Sequence, residues 1–377
     1  MVFCRLVSRC LSSLAAPAAI LAVQAGAAFA QTDDPAFGRW RFTPEPLGAR
    51  PAGLGGAFVA VADDGRAAVA NPAGIALVPS WEAVTSSLRT WAGLAGGWRG
   101  LRLAAYGWGA GAQGIPIPGG AAGAAAGRLT STVTELGLAA GLSPLPRLSV
   151  GVAASWTEMH LRSEFLADAA EAASLAGEPS PVRWTAGMLV DLTARGRSPI
   201  SSLRLGVAVQ PGFDWSVDRT APGAAPRVVA IRRPTVASVG LAWRPAARWL
   251  LSGETDLIRH REVVRTLRRN VGQAADGMEL PDRVEPHLGV EFATHLSCGC
   301  GNVRLRAGVR GRSPGLLHYT GTDPSRARAF PGEPWRAVAT LGGSFVGEYF
   351  GRALRLDLDS TDLLDGPRLS AGVSMRF

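Results

Sequence analysis

The sequence of 377 residues has no lysine, so arginine supplies all 39 of its Lys and Arg residues. Asp and Glu number 30, and the formal net charge at pH 7 is +9. A nucleic-acid-binding protein usually gathers such charge on one face or in one tail, whereas here arginine occurs along the whole chain. The charge therefore does not indicate nucleic acid as a partner.

Two further shortages narrow the class of protein. Only 18% of the residues are charged, against about 25% in soluble domains. Long apolar runs are missing after residue 30, and a membrane-spanning helix needs about 20 apolar residues. A chain that is 47% hydrophobic must therefore place its apolar side chains in some arrangement other than spanning helices.

Cysteine and histidine are too few and too scattered to indicate chemistry. Two of the four cysteines lie in the first 30 residues, and the others form Cys298-Gly299-Cys300. A zinc site needs about four ligands, so we predict no metal site, and this pair is either a local disulfide or two free thiols. The five histidines are dispersed, and no Gly-x-Ser-x-Gly motif occurs. We therefore predict neither an enzyme nor a cofactor.

The first 30 residues have the layout of a secretory signal peptide. Arg5 and Arg9 precede an apolar stretch from Leu11 to Ala27, and Ala28-Phe29-Ala30 fits the small-x-small cleavage pattern. We predict cleavage between Ala30 and Gln31 and a mature protein outside the cytoplasm. An uncleaved anchor helix is the alternative.

Apolar and polar residues alternate with a period of two along much of the remaining chain, which is typical of half-buried strands. Between residues 303 and 310, one face carries Val303, Leu305, Ala307 and Val309, and the other carries Arg304, Arg306, Gly308 and Arg310. A soluble sandwich or barrel with its apolar face inward produces this pattern. A membrane barrel with its apolar face toward lipid produces it as well.

Four observations favour the membrane barrel. The strands are about ten residues long, as tilted membrane strands are. Short and long connections alternate, as turns and outer loops do in such barrels. The chain ends on an alternating strand at Phe377, which resembles the C-terminal signature of bacterial outer-membrane proteins. Tryptophans at strand ends are typical of interfacial girdles, and the candidates are Trp108, Trp156, Trp184, Trp243, Trp249 and Trp335.

The alternation predicts twelve strands, near residues 100–109, 129–141, 148–157, 183–193, 203–211, 234–243, 248–258, 284–294, 303–312, 335–345, 352–360 and 367–377. A weaker hairpin between Glu82 and Trp98 raises the count to fourteen, and we prefer fourteen strands over twelve. Closure into a barrel satisfies every backbone hydrogen bond without leaving an edge in lipid. The Ala-rich stretch from Glu164 to Gly177 is predicted to be partly helical in a long loop. It is either a solvated loop helix or an apolar lip for a hydrophobic ligand.

A different pattern precedes the strands. The segment from Gly48 to Pro79 contains Gly53-Leu54-Gly55-Gly56-Ala57-Phe58, then Ala62-Asp63-Asp64, and then Asn71-Pro72-Ala73-Gly74. In content and order these elements resemble the N-terminal region of the FadL-like outer-membrane transporters and the related PorV/PorQ group. The resemblance implies a fourteen-stranded barrel whose Asn-Pro-Ala element lies in a plug, or hatch, folded inside the lumen.

The residues of this segment also suit a plug on physical grounds. Gly53, Gly55 and Gly56 permit close approach to a wall, and Asp63-Asp64 favours a turn. Pro72 biases Asn71 toward an extended conformation. The Asn71 side chain is placed to cap the short apolar turn that begins with Pro72-Ala73-Gly74.

The inward strand faces carry charges of both signs, and two roles are open for them. One is a salt-bridge network that anchors the hatch, because unpaired charges in a confined space are costly. The other is an arginine cluster that holds a substrate carboxylate in bidentate geometry. Arg304, Arg306 and Arg310 share one strand face and are the candidates for substrate binding.

A wall kink is the last candidate feature. Gly107, Gly109 and Gly111 lie close together in one predicted strand, and glycine weakens strand pairing. In the family that the hatch resembles, substrate leaves sideways through a kink in an early strand. We place the candidate kink at these three glycines.

We therefore expect an all-β chain with a signal peptide at residues 1–30, an N-terminal segment and lumen hatch at 31–79, and an outer-membrane β-barrel at 80–377. The resemblance implies passive uptake of hydrophobic or amphipathic small molecules, such as long-chain fatty acids. Expected partners are outer-membrane lipid, the hydrophobic ligand and, during insertion, the barrel-assembly machinery. The alternative is a PorV/PorQ-like protein that docks or shuttles secreted proteins. A continuous apolar pocket above the hatch would favour transport over docking.

Overall fold

The structure is a computed structural model. It describes residues 48–87, 91–98, 100–118, 125–165, 172–177, 182–193, 202–221, 224–271, 276–297, 301–324, 327, 330, 332, 334–363 and 368–377. The predicted signal peptide with its cleavage site, and the Cys298–Cys300 pair, lie outside the described residues. Within those residues, no helix is both long and apolar enough to cross a membrane.

Strands dominate the part of the chain that the structure describes. They are β1 (Glu82–Ser86), β2 (Trp91–Trp98), β3 (Leu101–Pro118), β4 (Ala125–Leu145), β5 (Leu148–Phe165), β6 (Ala172–Gly177), β7 (Arg183–Asp191), β8 (Ser202–Gln210), β9 (Phe213–Ala221), β10 (Ala224–Arg233), β11 (Val236–Ala246), β12 (Trp249–Ile258), β13 (Met278–Glu279), β14 (Arg283–His295), β15 (Asn302–Arg312), β16 (His318–Tyr319), β17 (Arg336–Tyr349), β18 (Arg352–Thr361) and β19 (Arg368–Arg376). The helices are α1 (Ala49–Gly53), α2 (Ala67–Ala70) and α3 (Arg261–Val271), with a 3-10 helix over Pro72–Leu77.

Fourteen of these strands form a closed antiparallel barrel, which confirms the predicted fold class and strand number. The wall consists of β1 to β5, β7, β8, β11, β12, β14, β15 and β17 to β19. β1 closes it by pairing with β19, from Glu82 opposite Arg376 to Ser86 opposite Gly372. The weaker predicted hairpin is β1 and β2.

The two ends of the barrel differ in their connections. At one end, here called the turn end, two residues join β4 to β5, β11 to β12 and β17 to β18. At the other, the loop end, β9 and β10 form a hairpin that extends the wall beyond β8 and β11. Helix α3 packs on β10 there.

The helix predicted within Glu164–Gly177 is wrong for the described part of that stretch, and residues 166–171 lie outside the described residues. Glu164 and Phe165 belong to β5. Residues Ala172–Gly177 form strand β6, which pairs with β5 and β9 at the loop end. Alanine-rich composition favours a helix only weakly, and tertiary context routinely overrides such a preference. Hydrogen bonding to two neighbouring strands supplies that context here.

The two faces of the wall differ as the alternation predicts. Leu305 is 56% exposed on the outside, whereas Arg306 is 3% exposed on the inside. Five of the six tryptophans predicted for the girdles are 44–54% exposed. Trp108 is the exception and that prediction is wrong, because it shares the inward phase of β3 with Tyr106 and both are 6% exposed.

The buried apolar residues form a cluster that runs through the lumen. It joins Leu54, Phe58 and Ile75 of the N-terminal segment to Trp108 of the wall and Leu317 of the loop end. The barrel therefore encloses packed protein.

The outer wall can be tested with a charge at its midpoint. Leu288 lies at the middle of β14 and is 59% exposed. Leu288→Arg should lower the free energy of unfolding in lipid vesicles by roughly 2–4 kcal/mol, because arginine is poorly solvated at the bilayer midplane. Val284→Arg, near the loop end of the same face, should cost only about 0–1 kcal/mol. Urea titration measures both variants, and equal losses would contradict a lipid-facing wall.

Candidate functional site

The segment from Gly48 to Pro79, here called the hatch, lies inside the barrel. Leu54, Ala62 and Ile75 are each 0% exposed. Helix α1 contacts β15, β17, β18 and β19, and the 3-10 helix contacts β3, β4, β5 and β7. The hatch therefore touches both sides of the lumen wall.

The glycines at the start of the hatch meet the wall through their backbone. The Gly53 carbonyl accepts a hydrogen bond from Thr340 Oγ1 at 3.1 Å, and His287 Nδ1 lies 2.8 Å from the Gly55 carbonyl oxygen. Gly55 has a φ of 65° and Gly56 a φ of 90°, in the left-handed region that favours glycine. A Cβ on Gly55 would lie 2.7 Å from the backbone of β15. Close approach and left-handed backbone thus both require glycine here.

Asn71 ties the end of the hatch together. Its backbone is extended, with φ −154° and ψ 98°, and Pro72 starts the 3-10 helix behind it. Its Oδ1 accepts a hydrogen bond from the Ala73 N–H at 3.2 Å. Its Nδ2 donates to the carbonyl oxygens of Val59 at 2.8 Å and Met188 at 3.2 Å. One side chain therefore caps the turn, closes the hatch on itself and joins it to β7.

Three glycines of the wall pack against the Asn71–Gly74 element, and the sequence analysis did not identify them. Gly141, Gly151 and Gly187 lie on β4, β5 and β7 and are paired in register. A Cβ on Gly151 or Gly187 would overlap the Asn71–Gly74 element, and one on Gly141 would lie 2.9 Å from the Pro72 carbonyl oxygen. Gly74 likewise leaves no room for a side chain beside Ala62. The sequence feature that could have identified them is their inward-facing position within predicted strands. Glycine weakens a sheet at such a position and is expected there only when another segment of the chain packs closely against it.

Buried ion pairs join the hatch to the wall. Arg50 contacts Asp63, lies 3.0 Å from Asp64 Oδ2 through Nη1, and lies 3.3 Å from Glu291 Oε2 through Nε. Arg66 Nη1 lies 3.2 Å from Asp64 Oδ2. The predicted turn acids thus bind arginines on both sides in the sequence. Arg50 and Arg66 were missed, although they flank the acids in a segment that has no other charge.

Two arginines on the wall complete this network. Arg306 lies 2.8 Å from Glu291 through Nε and 3.1 Å from Asp357 through Nη2. Arg355 lies 3.0 Å from Asp357 through Nε and 3.1 Å from Asp64 through Nη2. Such pairing offsets the cost of removing these charges from water. The salt-bridge role proposed for the inward charges is therefore realised around the hatch.

Asp64 is the shared acceptor of the hatch. Burial by itself raises the pKa of Asp64, but the guanidinium groups of Arg66, Arg355 and Arg50 outweigh burial and hold this pKa well below its usual range. The carboxylate is therefore ionised at neutral pH, and its contribution to stability is present above the pKa of the unfolded chain, about 3.9.

The structure separates the three candidate substrate arginines. Arg306 is buried within the network, where Ser344 Oγ also accepts a hydrogen bond from its Nη2 at 2.7 Å. Arg304 lies 3.3 Å from Glu291, and 29% of its side chain is exposed. Arg310 lies nearer the loop end, opposite His287. Substrate binding by these arginines stays a prediction.

The candidate wall kink lies where β3 loses a neighbour. Gly107, Gly109 and Gly111 all keep regular pairing with β4. On its other side, β3 pairs with β2 only as far as Trp108, and on that side no strand among the described residues pairs with β3 beyond Trp108. A kink at these glycines stays a prediction. Gly109 and Gly111, however, lie in a stretch of β3 that pairs only with β4 among the described residues.

The hatch divides the lumen into two cavities. The loop-side cavity has a volume of about 120 Å³, with Phe58, Trp108 and Val236 among its apolar lining and Arg183 among its polar lining. The turn-side cavity has a volume of about 290 Å³ and is rich in arginine. Throughout the described ranges, no group of three His, Cys, Asp or Glu side chains is arranged to hold a metal ion.

The fold and the hatch define a class of protein, a closed fourteen-stranded β-barrel plugged by its own N-terminal segment. The solved structures that it resembles make this the FadL-like fold, as predicted. A FadL homologue from Pseudomonas aeruginosa aligns with a TM-score of 0.57 at 10% identity, covering 89% of this chain and 98% of that one. The toluene transporter TbuX of Ralstonia pickettii aligns with a TM-score of 0.54 at 14% identity, covering 89% and 100%.

A third solved structure agrees with these two. The toluene transporter TodX of Pseudomonas putida aligns with a TM-score of 0.53 at 12% identity, covering 89% of this chain and 97% of that one. No protein-family model and no curated protein matches the sequence. The likeness is therefore one of fold.

The fit between hatch and wall predicts that one added methyl group disturbs it. In Gly151→Ala, the new Cβ would occupy the space of the Pro72 backbone. We expect a loss of roughly 1–3 kcal/mol in the free energy of unfolding and a higher ion conductance in planar bilayers. Gly253→Ala is the matched control, because its Cβ would meet its nearest neighbour at 3.5 Å. If both variants match the wild type, the close fit is wrong.

The charge on Asp64 predicts a pH-dependent loss. Asp64→Asn leaves Arg50, Arg66 and Arg355 without their shared carboxylate and should cost roughly 3–5 kcal/mol at pH 7. Because the folded-state pKa of Asp64 is depressed, the wild-type advantage should shrink as the pH falls below about 4. Urea titrations at pH 7 and pH 3 measure this change, with Asp276→Asn at an exposed position as the control. A deficit of the same size at both pH values would count against an ionised Asp64.

Proposed function

We propose that this protein is a passive outer-membrane channel for hydrophobic and amphipathic small molecules. The observation that carries the proposal is the loop-side cavity, which lies directly against the hatch. Phe58 of the hatch lines it together with Trp108 and Val236 of the wall. Its charged lining consists of Arg66, Arg183, Arg233, Glu254, Asp256 and His287. Apolar surface combined with placed polar groups is typical of small-molecule sites.

The hatch argues against an open diffusion pore. Its side chains fill the barrel between the two cavities, and the ion pairs of Arg50 and Asp64 fasten it to the wall. A molecule in the loop-side cavity can therefore advance only when the hatch or the adjacent wall rearranges. This arrangement suits a channel that admits selected molecules.

The adjacent wall offers a route. Trp108 lines the loop-side cavity and is also the last residue of β3 that pairs with β2. The cavity therefore adjoins the stretch of β3 that contains Gly109 and Gly111. We propose that substrate leaves sideways there, between β3 and β19, above the short strand β1.

The size of the cavity bears on the substrate. Its volume of about 120 Å³ compares with about 150 Å³ for an engineered protein cavity that binds benzene. A single-ring hydrocarbon comes closer to this volume than a long acyl chain does. TbuX and TodX are described as toluene transporters, and we propose a similar class of small hydrophobic compound here. Entry of a long-chain fatty acid would require the hatch to move first.

The docking of secreted proteins is the alternative that the family resemblance left open. A docking protein needs a sealed lumen and a protein-bound outer face. The cavity beside the hatch, with Phe58, Trp108 and Val236 in its lining, favours transport instead. Mass spectrometry of material that co-purifies with the protein in detergent distinguishes the two, since amphiphiles support transport and secreted proteins support docking.

A cavity-filling variant tests the transport function. Ala208 lines the loop-side cavity and is 5% exposed. Ala208→Phe should lower the uptake of labelled toluene by cells at least severalfold, because the new ring fills the space proposed for substrate. Leu138→Phe is the matched control, since Leu138 lies on the outer face at 55% exposure.

A shift in gel mobility on heating verifies that each variant has formed its barrel. Cells that produce the wild type should take up more toluene than cells that lack the protein. Equal uptake in those two strains would refute the channel function. Equal uptake by the wild type and a folded Ala208→Phe variant would refute the role of this cavity.

A further inference from the structure

The turn-side cavity differs in chemistry from the loop-side cavity. Its volume is about 290 Å³. Its charged lining consists of Arg50, Arg244, Arg304, Arg355 and Arg376, with Asp63 and Glu82. Its apolar lining consists of Leu77, Pro79, Val346, Ala353 and Leu354. Guanidinium groups and hydrocarbon surface therefore line the same cavity.

Two of the arginines have buried donors that make no hydrogen bond to any residue the structure describes. Arg304 binds Glu291 through Nη1 at 3.3 Å. Its Nε is buried and has no hydrogen-bond partner among the described residues, and the same holds for Nη2 of Arg50. A buried donor without a partner is costly, so these two groups favour a ligand that brings an acceptor.

Two further arginines reach the cavity from the ends of their strands. Arg244 lies 3.0 Å from Asp63, and Arg376 lies 3.4 Å from Glu82. Each of these arginine side chains is 36% exposed. A guanidinium group has five N–H donors, so one carboxylate contact leaves each of them donors for an anion.

The network beside the cavity carries more positive than negative groups. Within the described residues, continuous ion pairs connect six arginines to five carboxylates. The arginines are Arg50, Arg66, Arg244, Arg304, Arg306 and Arg355, and the carboxylates are Asp63, Asp64, Glu291, Asp357 and Asp359. One bound monoanion would balance these charges.

We propose that the turn-side cavity is a second ligand site, which binds an amphipathic carboxylate. The carboxylate accepts hydrogen bonds from Arg304 and Arg244, since arginine binds carboxylates in a bidentate, charge-assisted geometry. The alkyl part lies along Leu77 and Val346. The inference rests on the proposed function, because a molecule that crosses the barrel past the hatch would arrive in this cavity.

The site predicts which arginines can be changed without loss of the fold. In Arg244→Gln, Asp63 keeps Arg50 as a partner. In Arg304→Gln, Glu291 keeps both Arg50 and Arg306. The double variant should therefore form its barrel, and a gel-mobility shift on heating checks this. Should it fail to fold, Arg304→Gln alone should still weaken binding about threefold.

Calorimetric titration of the full-length protein in an uncharged detergent tests the site, with octanoate as the probe. We expect the Arg244→Gln, Arg304→Gln double variant to bind octanoate at least tenfold more weakly than the wild type. Octanol binding should be equal in both proteins, because octanol has no charge. Acetate should bind the wild type at least tenfold more weakly than octanoate, because it lacks the alkyl chain. Arg265→Gln, on an exposed part of α3, should bind octanoate like the wild type.

Several outcomes would overturn the proposal. If the wild type and the folded double variant bind octanoate with equal affinity, the proposed binding of the carboxylate by the arginines is wrong. If acetate binds as tightly as octanoate, the proposed contact of the alkyl chain with the cavity is wrong. Toluene uptake by the wild type separates this site from the channel function. If the wild type takes up toluene but does not bind octanoate, the channel function stands and this site is wrong. If the wild type binds octanoate but does not raise toluene uptake, this site stands and the channel function is wrong.

Discussion

Charge enclosed in the lumen must be paired, and this requirement determines how the hatch sits in the barrel. Asp64 forms ion pairs with Arg66 of the hatch and with Arg355 of β18, and Arg50 forms one with Glu291 of β14. These partners come from different parts of the wall. Because breaking one buried pair leaves its partner uncompensated, the hatch has one position in which each of its charged side chains has an oppositely charged partner.

The close approach of hatch and wall follows from the same confinement. The wall packs against the Asn71–Gly74 element through Gly141, Gly151 and Gly187. The hatch and the wall are therefore in backbone contact there. Phe58 is then left to face the loop side and Arg50 the turn side. The same segment thus separates a cavity that combines aromatic and charged side chains from one in which arginine predominates.

Most of the architecture could be predicted from local patterns. The alternation around Leu305 and Arg306 defines an inside and an outside, and its recurrence gives the strand number. The Asn-Pro element shows where the hatch turns, because proline and asparagine restrict the backbone locally. Such patterns depend only on neighbouring residues.

The remainder depends on tertiary structure. The pairing of Arg50 with Glu291 joins residues 241 positions apart, and only the closed barrel and its register bring them together. Residues Ala172–Gly177 form a strand because β5 and β9 flank them, although their composition favours a helix. Tryptophan is typical of interfacial girdles, but Trp108 occupies an inward-facing position of β3.

The length of chain between the hatch and its partners has a consequence for how the protein matures. Asp64 and Arg355 are separated by 291 positions, as are Arg66 and Asp357. Closing loops of such length costs conformational entropy before any contact repays it, and topologies rich in distant contacts fold slowly. The hatch is synthesised long before β18, so Asp64 and Arg66 stay without their partners Arg355 and Asp357 until that strand arrives. Full docking of the hatch therefore depends on the last strands of the barrel.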